Sequence, residues 1–283
     1  MSLKIKEMGP RDGLQNIKDS ISTEKKVELI KLLVDAGLDY IEIGAFVSPK
    51  AVPQMSDTQA VINTIRKYTQ GIETSVLVPN LKGLDLAIES GMQEIAIFTA
   101  ASETFNQKNI NASIEQSFER FKPVCEQALS HKIKIRAYVS TAFVCPYEGD
   151  IDPNKVVPII ERLLNMGCYE VSIGDTIGKA SPRQMKALYK LTAALGINQH
   201  LAGHYHDTYG LALCNVYESL QQGIHTFDTS IGGLGGCPYA PGAKGNLATE
   251  TLVYFCEREN LAISQNIKNL HKVINFINKN IPA

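Results

Sequence analysis

Two histidines separated by one residue, His204 and His206, open the chemical reading of this sequence. In extended backbone, residues i and i+2 point to the same side, so the two imidazoles can converge on one centre. A single histidine in such surroundings would usually be a satisfied core residue. A pair at strand spacing, with Asp12 in a connection that the fold can bring close, suits a divalent ion such as Mg²⁺, Mn²⁺ or Zn²⁺. Thiolate ligation is disfavoured, because no cysteine pair has zinc-finger spacing. Arg11 sits beside Asp12 and has two readings: a fixed cation for a developing oxyanion or enolate, or a rim partner for Asp12 or Glu42. Glu42 lies between Ile41 and Ile43, where an unpartnered carboxylate would be costly, so it is expected to orient Arg11 or a metal ligand. Asp175 reads equally as a helix N-cap or as a site acid. Residues 230–246 are too rich in glycine to form an element and carry Cys237, with Asn246 at the far end. That stretch is either a flexible crossover or a mobile lid bringing a thiol toward the metal.

The elements that must position these groups repeat with one period. Apolar, β-branched runs at 3–8, 40–44, 73–78, 94–99, 134–140, 170–174, 201–206 and 226–230 read as strands. Segments 23–36, 57–68, 80–90, 113–131, 153–166, 182–195, 209–222 and 246–257 have helical spacing; in the first, Val27, Ile30, Leu33 and Val34 share a face. Gly37, Gly91, Gly167, Gly196 and Gly223 stand where C-terminal caps are expected. Alternating strands and helices of this kind predict an α/β fold, a (β/α)₈ TIM barrel. A doubly wound sheet finds no support, since the first strand-to-helix turn reads Gly9-Pro10-Arg11-Asp12-Gly13-Leu14 and not G-x-G-x-x-G. The expected organisation is a catalytic barrel over 1–259 and a C-terminal helical extension over 260–283, with its helix from about 264 to 280. Barrel chemistry sits at the carboxyl ends of the strands. Arg11, Asp12, Asp175, His204, His206, Cys237 and Asn246 all map to that end.

Composition narrows the partners. The 283 residues carry 28 Lys plus Arg against 29 Asp plus Glu, a formal net charge of −1, which gives no basic excess for nucleic acid. No apolar run approaches the ~20 residues of a membrane span. The six cysteines are scattered, and with no signal-peptide or transit pattern they predict free thiols and a cytoplasmic protein.

Several motifs together resemble the 3-hydroxy-3-methylglutaryl-CoA lyase family: Gly9-Pro10-Arg11-Asp12-Gly13-Leu14-Gln15-Asn16, Phe46-Val47-Ser48-Pro49-Lys50, Val52-Pro53-Gln54-Met55, Gly174-Asp175-Thr176-Ile177-Gly178 and the Cys237 loop. The likeness runs from about residue 4 to 257. The Arg-Asp-Gly start is shared with a wider superfamily of metal-dependent Claisen-type enzymes, whereas the G-G-L-G-G-C-P-Y-A-P-G-A loop is specific to the lyase. The resemblance implies Asp12, His204, His206 and Asn246 as ligands of Mg²⁺ or Mn²⁺. It implies Arg11 as the stabiliser of an acetyl-CoA enolate, Arg11 and Gln15 as substrate contacts, and Cys237 as the active-site thiol. Glu42 and Asp175 match supporting acids of that family. Cleavage of 3-hydroxy-3-methylglutaryl-CoA to acetyl-CoA and acetoacetate, as in leucine degradation and ketone-body formation, and a homodimeric state are implied with it. Tyr205 between the histidines and Lys244 in the loop stand where smaller residues would be expected from close relatives. Competing readings are a condensing acyltransferase of the isopropylmalate or homocitrate synthase type, another small-acid lyase, and a non-catalytic barrel scaffold. The condensing enzymes usually add a C-terminal domain and lack the cysteine loop. For the CoA phosphates the basic candidates are Lys18, Lys50, Lys108 and Lys244.

Overall fold

The computed structural model describes residues 3–235 and 245–282. In chain order the strands are β1 (Lys4–Glu7), β2 (Tyr40–Ala45), β3 (Glu73–Leu77), β4 (Glu94–Ala100), β5 (Lys134–Ser140), β6 (Val144–Cys145), β7 (Gly149–Asp150), β8 (Glu170–Asp175), β9 (Leu201–Tyr205) and β10 (Thr226–Thr229). The helices are α1 (Thr23–Asp35), α2 (Thr58–Ile65), α3 (Leu81–Glu89), α4 (Glu103–Ile110), α5 (Ile114–Ser130), α6 (Pro153–Asn165), α7 (Pro182–Ala194), α8 (Ala212–Gln221), α9 (Thr249–Arg258) and α10 (Ile267–Asn280). Eight parallel strands close in the order β1-β10-β9-β8-β5-β4-β3-β2, and β6 with β7 forms a small antiparallel hairpin beside them. The fold is the predicted TIM barrel.

Local chemistry starts and stops the helices. Ser22, Asn80, Ser102, Ser113 and Asp152 accept backbone N–H bonds at the starts of α1, α3, α4, α5 and α6. Pro153 and Pro182 occupy first turns, where a missing N–H costs nothing. At Gly37 the chain leaves α1 with φ at +89°, a conformation closed to most side chains. Every predicted strand is present within a residue or two. The stretch 99–113 is different: it contains α4, which the sequence pattern does not announce because its residues Glu103 to Ile110 bury only Phe105 and Asn106. The hairpin of β6 and β7 is likewise too short to leave a period in the sequence.

Apolar faces of the helices pack on the outside of the barrel, with Leu29, Ile30, Leu33, Val124, Ile160, Leu188 and Leu252 essentially without solvent contact. Inside the barrel, the filling includes Lys6, Arg11, Glu42, Arg136, Tyr138, Ser172 and Asp228, all buried. Helix α10 lies against α1 and α9; it buries Leu270, Val273 and Ile277, and Lys25 Nζ donates to the Asn280 carbonyl at 3.0 Å.

Candidate active site

The first strand ends in one turn of π-helix, Gly9–Gly13, in which the Met8 carbonyl accepts from the N–H groups of Arg11 (3.1 Å), Asp12 (2.8 Å) and Gly13 (3.2 Å). Such single π turns are frequent at functional sites, and this one aims two consecutive side chains inward over the barrel mouth. Gly13 is forced by proximity: a Cβ there would lie 2.7 Å from Ser230 Oγ and 2.8 Å from Leu234 Cβ. The Arg-Asp turn and the start of the glycine-rich connection are thus in direct contact.

Arg11 is the partner of both Asp12 and Glu42. Its Nε donates to Glu42 and its Nη1 to Asp12 Oδ1 at 2.7 Å, while the guanidinium lies 5.3 Å from the centre of the Tyr138 ring. Burial alone would lower the Arg11 pKa, but Glu42 and Asp12 more than offset it and hold the charge in place. Tyr138 secures Glu42 from the other side, its hydroxyl donating to Oε1 at 3.1 Å.

Asp12 is the hub. Its Oδ1 also accepts from Gln15 Nε2 at 2.7 Å, its Oδ2 accepts from Asn246 Nδ2 at 2.7 Å, and Oδ2 stands 3.8 Å from His204 Nε2. Burial would raise its pKa; Arg11 and the two histidines reverse that and bring it to about 2. Asp12, His204 and His206 each offer one donor atom within 4.8 Å of the others. The alternation of β9 acts as expected, with the ring centres of His204 and His206 5.6 Å apart. Tyr205, between them, faces the helices, where its hydroxyl meets those of Tyr189 and Ser219 at 2.7 Å each. It therefore leaves the mouth free. Burial, with His204 adding to it, pushes His206 down to about 4, so its ring is neutral near pH 7. Among the described residues the buried His206 Nδ1 has no hydrogen-bond partner. The anionic Asp12 carboxylate and the neutral His206 imidazole with its orphaned Nδ1 stand beside His204 as a donor set that fits a divalent cation.

A cavity of about 500 Å³ opens over this cluster. Arg11, Asp12, Gln15, His204 and His206 line one side, and Val47, Leu77, Pro79, Phe98 and Phe105 line the other. Asn109 and Arg120 reach the same cavity from α4 and α5; Asn109 carries no signal in the sequence because nothing in the pattern reveals α4, and Arg120 reads there only as one more charge on the predicted helix 113–131. Asp175 is at the mouth but turned to the backbone, accepting from the N–H groups of Lys179 (3.0 Å) and Ala180 (3.1 Å) in the turn before α7. Burial pushes its pKa up to about 7. Of the basic candidates, Lys18, Lys50 and Lys108 are exposed and absent from the cavity lining, with Lys108 Nζ 4.7 Å from the Tyr147 ring centre. Cys237 and Lys244 lie outside the described residues.

The resident chemistry is framed by relatives. A family model described as HMGL-like matches residues 2–277. A Pseudomonas aeruginosa protein named 3-hydroxy-3-isohexenylglutaryl-CoA/hydroxy-methylglutaryl-CoA lyase is 51% identical over 252 residues, 89% of this chain and 84% of its own length. The human mitochondrial hydroxymethylglutaryl-CoA lyase is 50% identical over 275 residues, 97% of this chain and 84% of its own. A solved lyase from Acinetobacter, described as in complex with coenzyme A and 3-methylmalate, superposes with a TM-score of 0.92 at 37% identity, covering 98% of this chain and 90% of that one. With a barrel of this form, an Arg-Asp-His-His cluster at its mouth and half its residues shared with named lyases, the chain belongs to the HMGL-like family and, within it, to the hydroxymethylglutaryl-CoA lyases.

Proposed function

We propose that the protein cleaves (S)-3-hydroxy-3-methylglutaryl-CoA into acetyl-CoA and acetoacetate. The observation that carries this reading is the convergence of Arg11, Asp12, His204 and His206 on one cavity at the carboxyl ends of the strands. Asp12, His204, His206 and Asn246 would hold Mg²⁺ or Mn²⁺. When bound, such an ion would acidify the C3 hydroxyl and fix the orientation of the acyl group.

The chain's own groups account for the rest. The C3 hydroxyl proton passes to Asp12 or to water beside the histidines. The C3–O bond becomes the ketone of acetoacetate as C2–C3 breaks, and the bonding pair enters the thioester as an enolate. Arg11 would face that oxygen with a charge that Glu42 and Asp12 already hold in place against burial, so no reorganisation is needed when the oxyanion forms. Gln15, tied to Asp12, would contact the substrate. A proton delivered to C2 then gives the acetyl methyl; Cys237 is assigned to that transfer. Asp175 supports the site by closing the turn after β8.

The relative solved with coenzyme A supports an acyl-CoA occupant for the cavity. No helix among the described residues is long and apolar enough to cross a membrane. A cytoplasmic homodimer is the assembly we assign, with α10 packed as part of the same unit as the barrel. The direct test is to incubate the purified protein with Mg²⁺, a thiol reductant and the substrate, then measure acetoacetate. Absence of product would overturn the assignment.

A further inference from the structure

We propose that Asp228, a residue outside the metal-ligand cluster, is the positioning residue that fixes the ring of His204 and thereby presents its Nε2 to the cation. The register of the sheet sets this up, because β10 pairs with β9 with Asp228 directly beside His204. Asp228 Oδ2 lies 3.2 Å from His204 Nδ1, while His204 Nε2 faces Asp12 at 3.8 Å. A carboxylate can only accept, so Nδ1 carries the hydrogen and the lone pair is left on Nε2. The ring is tethered on one edge and open on the other.

What makes Asp228 a fixed acceptor is the layer beneath it. Arg136 donates to both of its oxygens, Nη2 to Oδ1 at 2.7 Å and Nη1 to Oδ2 at 3.1 Å. Ser172 Oγ adds a third donor to Oδ2 at 2.7 Å. Arg136 is itself held by Glu170 through Nε at 2.7 Å, and Glu170 by Lys6 at 2.9 Å. Arg136 and Asp228 are both fully or almost fully buried. A two-pronged clamp on the carboxylate leaves it neither free to rotate away nor able to move up and become a ligand. His206 has no such tether among the described residues, where its Nδ1 finds no partner, so the two histidines of the pair are constrained differently. Partners of this kind on ligating histidines commonly change metal affinity by about 10–100-fold when removed.

This inference rests on the metal reading of the site, and the experiment separates the two. Mn²⁺ affinity is measured by electron paramagnetic resonance for the unsubstituted protein, Asp228→Asn and Asp228→Ala. The ¹⁵N-histidine spectrum of the metal-free unsubstituted protein is recorded beside them, with His204→Asn to identify the His204 signals. The expected results are His204 in its Nδ1–H tautomer, a loss of Mn²⁺ affinity of about 10–100-fold in both Asp228 variants, and a scrambled His204 tautomer in those that fold. An Nε2–H tautomer in the unsubstituted protein, or Asp228→Asn binding Mn²⁺ within twofold, would overturn the role of Asp228. If neither Asp228 variant folds, the tautomer of the unsubstituted protein decides alone. Failure of the unsubstituted protein to bind Mn²⁺ at all would instead remove the metal reading on which the proposal stands.

Discussion

Glu7 offers the sharpest test of how buried charge is handled near the mouth. It ends β1, is fully buried, and ties three elements together. Its Oε1 accepts from the N–H groups of Gly9 (2.7 Å) and Ile231 (3.0 Å), and its Oε2 accepts from Thr249 Oγ1 at 2.6 Å. Burial raises its pKa from 4.5 to about 7, against the pull of those donors and with Glu250 adding to the rise. Protonation on Oε2 is easily accommodated. The acid then donates to Thr249 Oγ1, whose own hydrogen turns to Thr229 Oγ1, 2.8 Å away, and both bonds to Oε1 survive. Because the folded pKa is raised, the folded state holds a proton between pH 4.5 and 7 that the unfolded chain has released. This contribution to stability is therefore full below pH 4.5 and is lost as pH rises to about 7. A shift from 4.5 to about 7 corresponds to about 3 kcal/mol over that window. Glu7→Gln mimics the neutral acid, keeps the acceptor for Gly9 and Ile231, and removes the titration. Urea unfolding of both proteins from pH 4.5 to 8.5 should show the variant gaining on the parent by about 3 kcal/mol up to pH 7, then running parallel. A difference that stays flat across the range, or changes in the opposite direction, would refute the claim that burial dominates the Glu7 environment.

Three further outcomes are expected. Arg11→Gln should reduce kcat by about a thousandfold or more while Mn²⁺ affinity is nearly kept, since the cation acts on charge that appears only in the transition state; a near-parental kcat would remove that role. His206→Ala should weaken Mn²⁺ beyond the roughly 10–100-fold range of outer partners, and unchanged binding in a paramagnetic titration would count against ligation. Gly13→Ala should lower stability by about 1–3 kcal/mol, because its Cβ must displace Ser230 or Leu234; an unaltered melting temperature would show the two turns to be less closely packed than they are here.

Much of this was legible in the sequence, for reasons that differ by residue. The eight strands could be read because each is an apolar run closed by turn residues, and the fold then placed Arg11, Asp12, His204 and His206 at one end without further information. Glu42 could be suspected because a carboxylate between two isoleucines must have a partner, and Arg11 is that partner. Asp228 carried the same signal, an acid between Phe227 and Thr229 in a buried strand, but no fixed cation stands beside a predicted strand end to claim it as Arg11 claims Glu42. Its partners Arg136 and His204 lie 92 and 24 residues away and meet it only through barrel closure. Asp175 shows the reverse limit. Sequence leaves it between cap and acid, and only its two backbone donors reveal how it is held. The cavity wall from α4 was invisible because a short helix with two buried residues leaves no periodic trace.

The interior charges form a column, which explains how a barrel core this polar can stand. Lys6 is bracketed by Glu170, Arg136 by Glu170 and Asp228, and Arg11 by Glu42 and Asp12. The Tyr138 ring lies 5.0 Å from the Arg136 guanidinium and 5.3 Å from that of Arg11, joining the upper layers. Buried pairs of this kind add little net stability compared with apolar filling, yet losing one partner costs about 3–5 kcal/mol. Their value lies in geometry, since each charge can satisfy its partner in only one place. The ion-paired groups of the column are also unbalanced: the cations Lys6, Arg11 and Arg136 stand against the carboxylates Asp12, Glu42, Glu170 and Asp228, leaving a formal excess of one negative charge. The excess is not spread evenly. Asp12 at the top shares Arg11 with Glu42, and it is Asp12 that faces the two histidines. A divalent cation held there would meet the excess at the layer where two carboxylates share one cation, and the same clamp that orients His204 from below would keep the ligands in place for it.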